Sequence, residues 1–159
     1  MKIRIICIGK LKEKYWREAV REYCKRISGF CNIEIIELKE SKLPGNASKA
    51  DEKNVICKEG ESILKKVGKG EYVITMEIEG KQMDSVSLSK DITEIFDYGK
   101  DTIDFIIGGS LGLSKDVKER ADFKLSFSKM TFPHQMARVM LLEQIYRSFK
   151  IANGEVYHK

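Results

Sequence analysis

Histidine is scarce in this sequence of 159 residues, and long apolar runs are missing from it. The two histidines, His134 and His158, lie far along the chain from the four cysteines, and no two cysteines form a C-x-x-C pair. We therefore expect no metal site and reduced structural thiols. No apolar run approaches the length of a membrane-spanning helix, and the apolar stretch near the N-terminus is too short for a signal peptide. We expect a cytosolic protein without a membrane partner.

The common phosphate-binding motifs are also missing, because neither a Walker A sequence nor G-x-G-x-x-G occurs in the chain. The net charge is +5, and it is unevenly distributed. Residues 1–70 carry 17 Lys and Arg against 10 Asp and Glu, whereas residues 71–159 carry 12 against 14. A basic half favours an extended anionic partner, with RNA the leading candidate, although lysine-rich solvated helices have the same composition.

Strand-like and helix-like patterns alternate along the whole chain. The sequence predicts strands at 2–8, 33–38, 72–76, 103–107 and 123–127, and helices at about 13–28, 48–67, 88–96, 115–121 and 133–149. This alternation is typical of an α/β fold, a mostly parallel sheet with helices on both faces. No linker or repeat divides the chain, so we expect a single domain over residues 1–159.

Ligands of such sheets bind at the carboxyl ends of the strands, where three segments stand out: 77–80, 108–112 and 126–134. The second segment, Gly108-Gly109-Ser110-Leu111-Gly112, matches the G-x-S-x-G elbow of serine hydrolases. Ser110 would then be the nucleophile, with Asp116 or Asp122 as the acid and His134 or His158 as the base. The chain is short for such a hydrolase, so we favour a glycine turn that lets a ligand approach the backbone.

The third segment combines hydroxyl and apolar side chains before the last helix. Its backbone amides are suited to bind an adenine edge, while Phe127, Met130 and Phe132 enclose the ring; a loop with serine turns is the plain structural alternative. The helix that follows is apolar on more than one face, which favours burial in a symmetric dimer. Glu143 and Arg147 are spaced to form a helix-stabilising ion pair.

Five segments carry a more specific pattern. They are the opening Gly9-Lys10-Leu11-Lys12, the loop Ile107-Gly108-Gly109-Ser110-x-Gly112, the turn Ser126-Phe127-Ser128-Lys129-Met130-Thr131, the helix Pro133-His134-Gln135-Met136-x-Arg138-Val139-x-Leu141-x-Glu143-Gln144-x-Tyr146-Arg147, and the end Tyr157-His158-Lys159. In these segments, and in its length and order, the whole chain resembles the RlmH (YbeA-like) methyltransferases of the SPOUT superfamily.

The resemblance implies a homodimer with a SPOUT-type α/β fold whose C-terminal part forms a trefoil knot. It implies methylation of N3 of pseudouridine 1915, in helix 69 of 23S rRNA on the assembled ribosome, with S-adenosylmethionine as the methyl donor. The cofactor residues implied by position are Met76, Gly108, Gly109, Phe127, Ser128, Lys129, Met130, Thr131 and Phe132. Family members often carry leucine at the position of Met76, an exchange that an apolar contact tolerates.

Attack by N3 of a uracil-like ring requires loss of its proton, so a group must accept the proton or stabilise the anion. His158 is our candidate base, and Tyr157 is expected to orient the nucleobase. Arg138, Lys159 and His134 are candidate RNA contacts, although Arg138 also fits an ordinary solvated helix face. Because Tyr157, His158 and Lys159 end the chain, we expect them to act on the cofactor of the other subunit.

Overall fold

Alternating strands and helices make up the structure, a computed structural model that describes residues 1–158. The elements are β1 (Lys2–Ile8), α1 (Lys14–Ile27), β2 (Asn32–Leu38), α2 (Lys49–Leu64), β3 (Tyr72–Gln82), α3 (Ser85–Asp97), β4 (Thr102–Ile107), α4 (Lys115–Arg120), β5 (Phe123–Ser126) and α5 (His134–Ala152). Within residues 1–158, no helix combines the length and apolar composition needed to cross a bilayer.

The five strands form one sheet in the order β2-β1-β4-β3-β5, and every strand pair is parallel. Helices α1, α3 and α5 bury one face of the sheet, and α2 and α4 bury the other. The central strands are rich in β-branched residues that lie inside on both faces, such as Ile5, Ile6 and Ile106. The predicted α/β fold, a parallel sheet with helices on both faces, is therefore confirmed, whereas the trefoil knot stays a prediction.

Strand β3 is longer than its apolar run predicts. Met76 and Lys81 both pair with Leu125 of β5, so residues 77–80 bulge out of the sheet instead of forming a loop beyond its end. Gly80 allows this bulge, because a Cβ there would lie 2.8 Å from the backbone of Leu125 and Lys124. The bulge keeps the strand running to Gln82 while it pushes residues 77–80 towards the carboxyl edge of the sheet.

Helix α5 packs between α1 and α3, and it also covers the sheet. Residues such as Leu141, Leu142 and Ile145 are completely buried there. Because α5 contacts α1, α3 and the sheet, most of its apolar side chains are covered within one chain. A dimer is therefore not needed to bury all of its apolar faces. Met136, in the first turns of α5, remains 37% exposed.

Candidate active site

A cavity of about 920 Å³ opens at the carboxyl ends of β3, β4 and β5. The three segments that stand out in the sequence meet there, as expected for a parallel sheet. The lining residues are Met76, Glu77, Ile78, Glu79, Ile107, Gly108, Gly109, Ser110, Leu111, Gly112, Leu113, Lys118, Leu125, Ser126, Phe127, Ser128, Met130, Thr131, Phe132, Pro133, His134 and Ala137. Its volume is in the range of pockets that enclose small-molecule ligands.

Eight of the nine residues assigned to the cofactor by resemblance line this cavity: Met76, Gly108, Gly109, Phe127, Ser128, Met130, Thr131 and Phe132. Lys129 does not line it, although its neighbours on both sides do. The structure therefore brings together residues that lie more than fifty positions apart in the sequence, at one end of three adjacent strands.

The glycine loop after β4 requires its glycines. A Cβ on Gly108 would lie 3.0 Å from the backbone of Gly112, and one on Gly109 would lie 3.0 Å from Glu59 Oε2. Gly112 has a φ of +83°, and its N–H donates a hydrogen bond of 3.1 Å to the carbonyl oxygen of Gly109. The loop is thus a tight turn in which Gly108 and Gly109 are packed closely against the rest of the chain, and its backbone borders the cavity.

The same loop lacks the geometry of a serine nucleophile elbow. No residue other than glycine has a positive φ in the part of the chain that the structure describes, so Ser110 does not have the strained backbone of such an elbow. Ser110 is exposed. Among residues 1–158, its hydroxyl forms no hydrogen bond with either histidine, and α4 begins only at Lys115. Nothing in this arrangement activates Ser110.

The turn after β5 is held by its own hydroxyl groups. Ser126 Oγ lies 2.9 Å from the carbonyl oxygen of Ile78 and 3.0 Å from that of Ser128, and the N–H of Met130 donates to Ser128 Oγ at 3.1 Å. These bonds fix the turn against the β3 bulge. The Met130 side chain remains 70% exposed beside the cavity.

Two oppositely charged side chains, Glu77 and Lys118, lie together on the cavity wall. From the sequence, no role was assigned to either of them. The side chain of Glu77 is only 9% exposed, and its carboxylate lies 3.5 Å from Lys118 Nζ. Thr75 Oγ1 donates to Glu77 Oε1 at 2.7 Å. The sequence contained one indication of a role for Glu77, namely that it directly follows the apolar residues of β3.

His134, a predicted RNA contact, lies on the cavity wall at the first residue of α5. Burial lowers the pKa of His134, and the nearby Arg138 guanidinium lowers it further, whereas Glu40 opposes the shift. This shift favours the neutral ring, which has one hydrogen-bond donor and one acceptor.

Arg138 corrects the sequence interpretation. It was expected to contact RNA phosphate or to lie on a solvated helix face, but it is 1% exposed. Its guanidinium donates to Glu37 Oε1 at 2.9 Å and to the carbonyl oxygens of Ile8 and Gly9 at 2.8 and 2.9 Å. Arg138 thus ties α5 to the ends of β1 and β2, because a side chain this buried cannot reach phosphate.

The two described tail residues lie away from the cavity of their own chain. The Tyr157 hydroxyl donates to Glu143 Oε1 at 3.3 Å, and the Arg147 guanidinium lies 4.8 Å from the Tyr157 ring centre. His158 Nδ1 lies 3.4 Å from Arg147 Nη1. The expected ion pair between Glu143 and Arg147 is present at 2.6 Å, and it forms the base on which the tail rests.

Distance along α5 separates the tail from the cavity. Arg147 follows His134 by 13 residues, which corresponds to about 20 Å of helix. The structure therefore brings neither Tyr157 nor His158 to the predicted cofactor residues of the same chain. Lys159, the third predicted tail residue, lies outside the described residues.

Comparisons with known proteins identify the family of this chain. The family model described as "Predicted SPOUT methyltransferase" matches residues 1–158. The "Putative ribosomal RNA large subunit methyltransferase H" of Methanococcus maripaludis (strain C5) is 56% identical over the full length of both chains. The "Ribosomal RNA large subunit methyltransferase H" of Clostridium novyi (strain NT) is 54% identical, again over the full length of both.

A solved structure supports the fold alone. It is "The structure of a probable methylase family protein from Haemophilus influenzae Rd KW20", which matches with a TM-score of 0.55 at 14% sequence identity. The match covers 99% of this chain and 70% of that one. The family model and the full-length relatives confirm the resemblance seen in the sequence: this chain belongs to the SPOUT methyltransferase family.

Proposed function

We propose that this protein methylates large-subunit ribosomal RNA with S-adenosylmethionine as the methyl donor. The observation that carries the proposal is the cavity at the carboxyl ends of β3, β4 and β5, where eight residues assigned to the cofactor converge. The printed names of the full-length relatives supply the class of substrate. We further propose N3 of pseudouridine 1915, in helix 69 of 23S rRNA on the assembled ribosome, as the position that is methylated.

The residues present fit the cofactor. Gly108 and Gly109 line the cavity with main chain, since neither residue carries a side chain, and a ligand could pack against that main chain. Phe127 and Phe132 supply apolar and aromatic walls for a flat ring, and Met76 supplies an apolar floor. S-adenosylmethionine supplies an electrophilic methyl group, so the protein has to hold the donor, exclude water and prepare the accepting nitrogen.

We propose that the tail of one subunit serves the cavity of a second subunit. This is supported by the separation of about 20 Å between cavity and tail along α5, which leaves the cavity of a single chain without Tyr157 or His158. Exposed apolar side chains also line the cavity, namely Ile78 at 45% and Met130 at 70%, and Met136 of α5 is 37% exposed. Their burial in a homodimer would join the two parts of the active site.

The contact between Arg147 and His158 supports a further proposal about the role of the histidine. A guanidinium only donates hydrogen bonds, so in this contact Nδ1 of His158 is the acceptor, and a neutral ring carries its proton on Nε2. In that state His158 would donate a hydrogen bond through Nε2 and stabilise the nucleobase anion, and the N3 proton would pass to water. To act as the base through Nε2, the ring would have to leave Arg147 and take up the other tautomer.

Two measurements test the function. Calorimetry should show saturable binding of S-adenosylmethionine, and ribosomes that lack the modification should accept one methyl group from it. Mass spectrometry of 23S rRNA fragments then locates that group. Binding without transfer to any ribosomal RNA would overturn the substrate assignment, and no binding would overturn the cofactor assignment.

Subunit mixing tests the shared active site. A subunit with its tail deleted and a subunit whose cavity is blocked by Ser128→Trp are each expected to be inactive. Mixed dimers should regain up to about a quarter of the wild-type activity, because half of the randomly assorted dimers are mixed and each contains one complete site. Lack of recovery in dimers that demonstrably exchange would contradict the arrangement.

Substitutions of His158 separate the donor from the base. Glutamine places an amide N–H near the position of Nε2, so His158→Gln should keep measurable methyl transfer if the ring is a donor. His158→Asn, whose amide reaches only the Nδ1 position, should be much less active. If both variants lose all turnover while they still bind S-adenosylmethionine, the base assignment is favoured instead.

A further inference from the structure

Glu77 is a nearly buried carboxylate on the wall of a cavity that is otherwise lined mainly by apolar and small side chains. One of its oxygens, Oε1, accepts a hydrogen bond from Thr75 Oγ1. The other, Oε2, lies 3.5 Å from Lys118 Nζ, which is longer than a direct hydrogen bond. Burial of a carboxylate is costly unless donors or opposite charges surround it, and Glu77 is compensated by Thr75 and by this longer ion pair with Lys118.

Lys118 provides the opposite charge at the same place. It extends from α4 to the cavity wall, and its side chain remains 44% exposed. A lysine this exposed is solvated by water even without a partner, so the position of Lys118 does not destabilise the fold. What is unusual is a positive and a negative group side by side on a wall where hydroxyls, glycines and aromatic rings predominate.

The spacing of this pair matches an α-amino acid. In an amino acid the ammonium nitrogen and the carboxylate oxygens are attached through one Cα atom, and standard bond lengths place them about 3 Å apart. An amino acid laid antiparallel to Glu77 and Lys118 would set its ammonium against the carboxylate and its carboxylate against the ammonium. Both contacts would be charge-assisted hydrogen bonds, which are about twice as strong as neutral ones.

We propose that Glu77 and Lys118 bind the amino-acid end of S-adenosylmethionine. Glu77 accepts hydrogen bonds from the α-ammonium group, and Lys118 donates to the α-carboxylate. This assignment rests on the proposed function, in which S-adenosylmethionine is the methyl donor. The cavity would then have a charged part, which binds the amino-acid end, and a neutral part, which binds the adenine. The glycine loop and the turn at 126–132 form the neutral part.

Other cavity residues fit the amino-acid end less well. The lowered pKa of His134 favours its neutral ring, and the hydroxyls of Ser128 and Thr131 carry no charge to balance a zwitterion. Glu79 also lines the cavity, but it is exposed and has no cation beside it among the described residues. Glu77 and Lys118 are the two opposite charges that the structure places in contact on this wall.

Calorimetry with three ligands tests the assignment on the full-length protein. S-adenosylmethionine and S-adenosylhomocysteine both contain the amino-acid end, whereas 5′-methylthioadenosine keeps the adenine, ribose and sulfur but lacks it. Glu77→Gln is expected to weaken both amino-acid ligands by about 10- to 100-fold, the loss expected for a hydrogen bond between charged groups. Binding of 5′-methylthioadenosine should change less than about twofold, and that unchanged affinity shows that the variant cavity is intact.

Lys118→Met should weaken the same two ligands by a smaller factor, about 3- to 10-fold, because Lys118 is partly solvated. The matched controls are Glu119→Gln and Lys115→Met, which remove the same charges from exposed positions of α4 outside the cavity. Both controls should bind all three ligands like the wild type. Glu77→Asp, which keeps the charge, should recover part of the affinity that Glu77→Gln loses.

Four results would overturn the assignment. If Glu77→Gln weakened the binding of 5′-methylthioadenosine equally, Glu77 would lie at the ribose. If it weakened the binding of S-adenosylmethionine but not that of S-adenosylhomocysteine, Glu77 would lie at the sulfonium. Wild-type affinity in Glu77→Gln would remove Glu77 from the site while the proposed function stands. Failure of the wild-type protein to bind any of the three ligands would overturn the proposed function together with this inference.

Discussion

Replacement of Arg138 by methionine should destabilise the fold and should not act through RNA. Arg138 is 1% exposed, and its guanidinium bonds Glu37 and the carbonyl oxygens of Ile8 and Gly9. Methionine fills much of the aliphatic volume but satisfies none of these acceptors. Glu37 is 29% exposed and keeps its hydrogen bond from the N–H of Leu11, so water can reach it, whereas the two carbonyl groups lose a buried donor.

The size of the effect follows from these partners. Loss of a buried charged donor that serves an ion pair and two carbonyl groups costs about 3–5 kcal/mol. Against this, the Nε of Arg138 is buried without a partner among the described residues, and its removal returns about 1 kcal/mol. The free energy of unfolding should therefore fall by about 2–4 kcal/mol, and the urea midpoint should fall by about 1–2 M for a slope near 2 kcal/mol per M.

Urea unfolding followed by circular dichroism measures this shift. Arg21→Met on the exposed side of α1 is the control, and its free energy of unfolding should change by less than about 0.5 kcal/mol. If Arg138 instead contacted phosphate, Arg138→Met would unfold at the midpoint of the control. It would also lower the salt dependence of RNA binding by about one unit of slope. That pair of results would refute the structural role.

Two further predictions concern the β3 bulge and the thiols. Gly80→Ala should lower the free energy of unfolding by about 1–3 kcal/mol, because its Cβ would lie 2.8 Å from the backbone of Leu125. Gly45→Ala has nothing within 4 Å and should be nearly neutral in the same urea titration; equal effects would contradict the bulge. Burial raises the pKa of the Cys7 thiol to about 11, so about one molecule in a thousand is thiolate at pH 8. Iodoacetamide should therefore modify the exposed Cys57 long before Cys7, and equal rates in mass spectrometry would be inconsistent with this core.

The order of strands and helices was predictable because it depends on local patterns. Alternation over 2–8 and the i, i+4 rhythm over 13–28 reflect which side chains face the core, and each lies within one element. The cavity was also predictable in outline, since parallel strands end at one edge and place their following segments side by side. Of the nine predicted cofactor residues, Lys129 is the exception, because adjacent residues of a turn point in different directions.

What the sequence did not predict depends on pairing between distant residues. Arg138 finds its partners 101 to 130 positions away, and no periodicity of α5 distinguishes it from a solvated arginine. The bulge in β3 depends on how Met76 and Lys81 share Leu125, which is a property of two strands and not of one. The role of Lys118 was missed for the same reason, since only the fold places α4 against the end of β3.

Helix α5 connects these observations. Its first residue, His134, lies on the cavity wall, and one turn later Arg138 anchors the helix to the ends of β1 and β2. Its second half packs on α1 and α3 and carries the Glu143–Arg147 pair that holds the tail. Because the helix is packed between α1 and α3, it cannot bend freely to shorten the distance of about 20 Å between cavity and tail. A rigid spacer of this kind makes closure within one chain costly, which supports the proposal that a second copy supplies the tail.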